Sequence, residues 1–202
     1  DFCNYWYAVT GIWSASSDNH LSFTMFVCKN APGGAVLRDL LITVFKNGSN
    51  SVYEVPGRPD SGFNINCISV LSLVSQVANL FQKQRKGHIV VITSVAGDRG
   101  RASNYLYGSA KSGFNTYLDG LSNKLFSFDV KVITAKPGYV RTKMTYGMNL
   151  PEYLLAEPEE IANDIYNGWK NGKEIIYTKW YWKYIMFIIR NVPNFIFKRM
   201  SL

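Results

Sequence analysis

The sequence predicts an α/β protein whose strands form a doubly wound, mainly parallel sheet, with the N-terminal half divergent or incomplete. Three observations carry this. From about residue 61, helix-length amphipathic segments alternate with short β-branched runs. Strands separated by helices of that length pair in parallel through crossovers. Residues 1–60 break the rhythm, interrupted by Asp18-Asn19, Pro32-Gly33-Gly34, Asn47-Gly48-Ser49-Asn50 and Pro56-Gly57-Arg58-Pro59.

Ile65 to Gln84 carries Val70, Leu71, Leu73, Val74, Val77, Leu80 and Phe81 at a helical period, with Gly87 as the expected C-terminal cap. Ile89 to Thr93 reads as a short buried strand. Tyr105 to Phe126 reads as a second long helix, and Val130 to Ala135 as a second strand, closed by Pro137-Gly138. Glu157-Pro-Glu-Glu places proline and acids where a helix N-terminus favours them, leading into Ile161 to Trp169. Lys173 to Thr178 is a third strand.

A chain of 202 residues with 47% hydrophobic content suits one globular domain with appendages, and 15% aromatic content argues against disorder. The formal net charge is +8, but Lys179, Lys183, Arg190, Lys198 and Arg199 place five of those charges in a tail without an acid. The remaining body is close to neutral, which argues against nucleic acid as a partner. Cys3, Cys28 and Cys67 form no Cys-x-x-Cys pair, and only His20 and His88 accompany them, so neither a disulfide framework nor a metal site is indicated. A reducing cytoplasm is expected. The start, Asp1-Phe-Cys-Asn-Tyr-Trp6, has no initiator Met and no basic leader, so a truncated start is expected rather than a signal peptide.

Ser94 lies at the C-terminal end of a strand, where open α/β sheets bind ligands. Tyr107 and Lys111 are four apart on the following helix and share a face. A free phenol titrates near ~10 and is a poor acid–base group at neutral pH. A cation one turn away favours the phenolate, and a nearby serine hydroxyl can orient a carbonyl oxygen. Such a set could move a proton while a hydride moves elsewhere.

Ser94, Tyr107 thirteen residues on, and Lys111 resemble the catalytic set of the short-chain dehydrogenase/reductase family. The likeness extends to Thr93-Ser94-Val-Ala-Gly97, Lys136-Pro-Gly-Tyr-Val-Arg-Thr142 and Asn66 in FNINCISV, and covers residues 61–178. It implies a Rossmann-like fold, an NAD or NADP cofactor and a keto substrate. It implies Tyr107 as general acid/base, Lys111 lowering its pKa and holding the nicotinamide ribose, Ser94 positioning the substrate oxygen, and Asn66 holding a relay water. Pro137, Gly138, Val140 and Thr142 would line the nicotinamide and phosphate end. Within that family, SVAGDRGRASNYLYGSAKSG, KPGYVRTKM and the C-terminal stretch are similar to bacterial reductases of a keto sugar carried on a polyprenyl phosphate. That likeness implies a lipid-linked substrate at the inner face of a membrane, and a second copy of the chain or an oxidase subunit as partner.

Blander readings stand beside these. An asparagine near a helix start caps as readily as it catalyses, which leaves Asn66 open. Arg99 and Arg101 could contact an anionic lipid phosphate, but a charged loop is ordinarily solvated. Cys67 reads as a small buried hydrophobe. The tail, residues 179–202, is cut by Arg190 and Pro193 well short of the roughly 20 residues a membrane span needs. It reads as an interfacial segment attracted to anionic lipid, with packing against protein as the alternative.

Nowhere in the chain are two glycines separated by a single residue, so the Gly-rich dinucleotide turn is absent. The 60 residues before the Asn66 segment are too few for four parallel strands with crossovers at about 30 residues per βαβ unit. Two readings follow: a reductase whose cofactor half is unrecognised, or a non-catalytic remnant of the family that acts by binding.

Overall fold

The structure, a computed structural model, describes residues 6–14, 20–30, 36–46, 63–142, 145 and 147–200, with only the backbone of the first three segments. Those three are strands: β1 (Trp6–Ser14), β2 (His20–Asn30) and β3 (Val36–Lys46). The turn signals at 18–19, 32–34, 47–50 and 56–59 lie outside the described residues.

After them come a π-helical turn (Asn64–Ile68), α1 (Ser69–Gln84), β4 (Gly87–Ile92), α2 (Tyr105–Leu125) and β5 (Val130–Pro137). The short strands β6 (Tyr139–Val140) and β7 (Leu155–Ala156) pair with each other. Then follow α3 (Pro158–Lys170), β8 (Ile175–Thr178), α4 (Tyr181–Asn191) and α5 (Asn194–Phe197).

The main sheet runs β1-β2-β3-β4-β5-β8. Its β3–β4, β4–β5 and β5–β8 pairings are parallel, as the alternation of helices and strands predicts. β1, β2 and β3 pair antiparallel as a meander, so the N-terminal part joins the sheet without the helical crossovers a parallel arrangement requires.

Alternation along the strands sends side chains to two layers. Ile89, Val91, Val130 and Val132 pack with Val74, Phe81, Phe114, Leu118 and Leu125 of α1 and α2. Val90, Ile133 and Ala135 point the other way, to Ile161 and Ile165 of α3. Helices thus cover both faces of the parallel part. α3 starts where its sequence says: Pro158 is in the first turn, and Glu157 and Glu160 form a reciprocal capping box.

Two local expectations need correction. The left-handed residue that ends α1 is Arg85, at φ 53°, not Gly87. Gly87 opens β4 at φ 151°, where an added Cβ would lie 2.8 Å from the Phe81 ring, so glycine is needed for a close approach. The first turn of the helix, expected from Ile65, is π-helical through Ile68.

The tail folds back onto the sheet's C-terminal edge. Trp182 and Met186 are buried against Val95. A Cβ on Gly138 would lie 1.9 Å from the Trp182 indole, so the loop after β5 tolerates no side chain there. Gly138→Ala should therefore loosen α4, at a cost of about 1–3 kcal/mol for overpacking. The check is denaturant unfolding together with proteolysis, which should cut the variant first within 180–192.

Candidate active site

The C-terminal end of β4 is held by two bonds to β5. Thr93 donates its N–H to the Ala135 carbonyl at 2.7 Å and its hydroxyl to the same oxygen at 3.2 Å. Ser94 follows in extended conformation and starts a 3-10 turn, Val95–Gly97, whose Ala96 N–H donates to Ser94 Oγ at 3.1 Å. With its oxygen accepting there, the Ser94 hydroxyl proton is left to donate, and a hydrogen bond joins it to Tyr107.

Close packing of α2 against this turn brings the groups together. A Cβ on Gly97 would lie 2.7 Å from the Lys111 carbonyl carbon, and one on Gly108 would lie 3.0 Å from the Ala96 oxygen. Two glycines therefore set the distance between the strand end and the helix. The Lys111 ammonium lies 5.5 Å from the centroid of the Tyr107 ring.

Both side chains are half-buried, and desolvation of their polar ends dominates their titration. Burial raises the Tyr107 phenol above its ordinary value, and the Ser94 hydrogen bond pulls it partly back. This differs from the sequence argument, in which the lysine lowers the phenol. Loss of water is the largest cause at the phenol, and Lys111 is itself desolvated, its pKa lowered to about 8 with the Cys67 thiol opposing that shift. Burial in turn raises the Cys67 thiol, and Cys67 is buried, as an inert small hydrophobe should be.

Asn66 sits inside the π-helical turn, half-buried, on the element that also places Cys67 beside Lys111. π-turns within helices recur at functional sites because the extra residue redirects backbone groups. The lone asparagine did not foretell it. Pro137 ends β5, and Gly138 lies under Trp182. Val140 is half-buried beside the α3 layer. Thr142 is exposed, its N–H donating to Thr145 Oγ1 at 3.0 Å.

Sequence reasoning missed a buried network beside these groups. Asp98 accepts Lys136 Nζ at 2.7 Å and the Tyr177 hydroxyl at 2.6 Å. The ion pair's side chains are only 3% and 10% exposed. Burial raises the Tyr177 phenol most, its bond to the Asp98 carboxylate raises it further, and Arg190 opposes. The available signal was Lys136, a charge inside an apolar strand.

Arg99 is not solvated, as a charged loop would suggest. It donates to the carbonyls of Ile189 and Val192, the latter at 2.7 Å, and to Asn194 Oδ1 at 2.9 Å. Its guanidinium also lies 3.8 Å above the Phe197 ring. Arg101 is buried, also against expectation.

Lys111 makes no hydrogen bond to an acceptor among the described residues, so its ammonium is free to hold the hydroxyls of a ribose. Ser94, Tyr107 and Lys111 thus fit the nicotinamide end of a dinucleotide. The sequence offers no Gly-rich turn for the pyrophosphate.

Helices on both faces of a parallel sheet, with polar groups gathered at its C-terminal edge, define the Rossmann-like α/β class. Residues 56–152 match the model of the short chain dehydrogenase family. An uncharacterized oxidoreductase of Mycobacterium tuberculosis is 35% identical over 133 residues, 66% of this chain and 53% of its own. The acetoacetyl-CoA reductase of Allochromatium vinosum is 35% identical over 109 residues, 49% of this chain and 44% of its own. A short chain dehydrogenase from Burkholderia cenocepacia, solved in complex with NADP, superimposes with a TM-score of 0.64 at 16% identity, over 75% of this chain and 63% of that one. The chain spans about half the length of the curated relatives it matches.

Two outcomes follow. Asp98→Ala leaves Lys136 buried without its counter-charge and should cost about 3–5 kcal/mol in denaturant unfolding. Lys111 binds its proton less tightly folded than unfolded, so the unfolded chain holds more protons between pH 8 and 10.5. Stability attributable to Lys111 should rise with pH across that window. The rise should vanish in Lys111→Met, as read by unfolding of both proteins at each pH.

Proposed function

We propose that the protein is an NAD(P)-dependent oxidoreductase that reduces a keto group. The observation that carries this is the meeting of Ser94, Tyr107 and Lys111 at the end of β4, with the phenol hydrogen-bonded to the serine and the ammonium over its ring. Bound reduced nicotinamide supplies the hydride. Ser94 turns its hydroxyl proton to the substrate's carbonyl oxygen and holds it next to Tyr107. Burial keeps the phenol protonated at neutral pH, the state in which it can donate. As the carbonyl carbon becomes tetrahedral, Tyr107 gives its proton to the oxygen, and the Lys111 charge stabilises the phenolate left behind. Asn66, on the π-helical turn, holds the water that returns a proton.

For the substrate, the sequence likeness favours a keto sugar on a polyprenyl phosphate. The family member it supports is the reductase subunit of decaprenylphosphoryl-ribose 2'-epimerase and its bacterial relatives, which work with an oxidase subunit. The surface of the tail supports such a site at a membrane. No helix among the described residues is long and apolar enough to cross one. Trp180 and Phe187 are nevertheless 74% and 68% exposed, Tyr184, Ile188, Phe195 and Ile196 are exposed too, and Lys183, Lys198 and Arg199 lie among them. An apolar and basic surface of this kind suits the headgroup layer of an anionic membrane at its cytoplasmic face.

The antiparallel β1–β3 meander favours a second reading, a non-catalytic remnant, because it stands where crossover helices would present their N-termini to a pyrophosphate.

Tyr107→Phe separates the two readings. In a reductase it should lower NADH- or NADPH-dependent turnover at least a hundredfold while leaving thermal stability unchanged. Equal turnover by variant and wild type would refute the mechanism. NADH and NADPH, titrated by fluorescence, should bind residues 1–202 no tighter than micromolar for want of the Gly-rich turn. Sub-micromolar binding would rule out the remnant.

A further inference from the structure

Residues 94–97 form an arch that leaves the end of β4 and returns to the sheet, and both of its feet stand on neighbouring residues of β5. At the first foot Thr93 donates its N–H to the Ala135 carbonyl at 2.7 Å, continuing the ladder in which Ile92 faces Ala135. At the second foot Asp98 Oδ1 accepts Lys136 Nζ at 2.7 Å, while Oδ2 accepts the Tyr177 hydroxyl at 2.6 Å. Lys136 and Tyr177 face each other across the β5–β8 pairing, so one carboxylate spans two strands. Arg99, the next residue, bonds instead to the tail.

Inside the arch the bonds are local. Gly97 N–H donates to the Ser94 carbonyl at 3.2 Å, Asp98 N–H to the Val95 carbonyl at 3.1 Å, and Ala96 N–H to Ser94 Oγ at 3.1 Å. These bonds make the arch one stiff unit with the Ser94 hydroxyl fixed to it, but they do not set where that unit points. α2, which carries Tyr107, meets the arch through close approaches at Gly97 and Gly108 that have no direction of their own. Orientation therefore depends on the two feet. The first is a backbone bond that any sequence supplies, whereas the second needs a carboxylate at 98 and a cation at 136. A buried ion pair contributes little net stability over an apolar pair of similar volume, but its hydrogen bonds are strongly directional.

We propose that Asp98 is a positioning residue of the reduction: paired with Lys136 and Tyr177, it holds the arch so that the Ser94 hydroxyl meets Tyr107 and the substrate oxygen. This rests on the reductase reading and adds the residue that aims its serine. Asp98 acts through Ser94, since both of its own oxygens are engaged by Lys136 and Tyr177.

The test is Asp98→Asn/Lys136→Met in the full chain, which removes both charges, keeps the side-chain shapes and leaves Tyr177 an acceptor, so that the fold should survive. One readout needs no turnover. In protein carrying isotope-labelled tyrosine, the Tyr107 ring resonance, assigned with Tyr107→Phe, should shift in the direction seen for Ser94→Ala. On a Ser94→Ala background the double variant should add nothing to that shift. With a reducible ketone, kcat should fall about 10- to 100-fold while KM changes less than about threefold, because the lost alignment matters most in the transition state. Lys136→Arg, which keeps a cation on Asp98, should retain most of the wild-type kcat. Leu125→Ala, a cavity about 27 Å along α2 from Tyr107, should destabilise the chain and leave kcat unchanged.

An unshifted Tyr107 resonance in the folded double variant would overturn the proposal. So would a shift that persists in full without the Ser94 hydroxyl, or a loss of kcat that Leu125→Ala reproduces. If the double variant does not fold, Tyr177→Phe replaces it: one of the two bonds at the second foot is lost, Tyr107 should shift the same way by less, and an unshifted resonance again overturns the proposal. Absence of turnover in the wild type refutes the reductase reading and leaves the resonance result standing.

Discussion

The buried pair of Asp98 and Lys136 is the interaction on which the geometry of this edge of the sheet depends. Lys136 stands at the end of β5 and Asp98 just beyond the end of β4, so their 2.7 Å contact closes the gap between the two central parallel strands. Tyr177 adds β8 through its bond to the second carboxylate oxygen. Each charge is costly to bury alone, so neither element can move without stranding the other. The loop that begins with Ser94 is thereby held at a set height above the sheet.

That anchoring reaches the C-terminal segment. From the residue after Asp98, the Arg99 guanidinium takes up backbone carbonyls at the end of α4, oxygens that a helix terminus otherwise leaves to water. On the other side of the site, Trp182 rests on Gly138. α4 thus touches both loops that frame the candidate site, while its outward face carries exposed aromatic and basic side chains. Whatever covers that face is mechanically close to Ser94 and Tyr107. The relation between surface and site follows from the contact of Arg99, which in sequence reads only as part of a charged loop, and from that of Trp182 with Gly138.

The parallel half of the fold was legible because its signals are local. The α1 and α2 periods, the β-branched runs of β4 and β5, and the Pro and Glu residues opening α3 each act within a few residues of themselves. The Ser94–Tyr107–Lys111 set was legible for the same reason: one spacing spans a strand end and the next helix. The β1–β3 meander was not legible, since a strand's partner depends on surfaces far away in sequence. Nor was the π-helical turn at Asn66, which no residue type in that stretch demands. Spacing shows the cation beside Tyr107 but not the burial of the phenol, which raises its pKa.

By itself, the sequence determined the class of sheet, the order of its helices and parallel strands, and the residues that could exchange a proton with a carbonyl. These follow from periodicity and spacing, which chain geometry converts directly into shared faces. The tertiary structure alone decided which charges are matched. Asp98, Arg99 and Arg101 look alike as a hydrophilic loop, yet one pairs with a lysine in β5, one clasps the tail and one is buried with its Nε unpartnered. That difference arises because Coulomb and hydrogen-bond energies depend on separation in space and on exclusion of water, and neither is written in the order of residues along the chain.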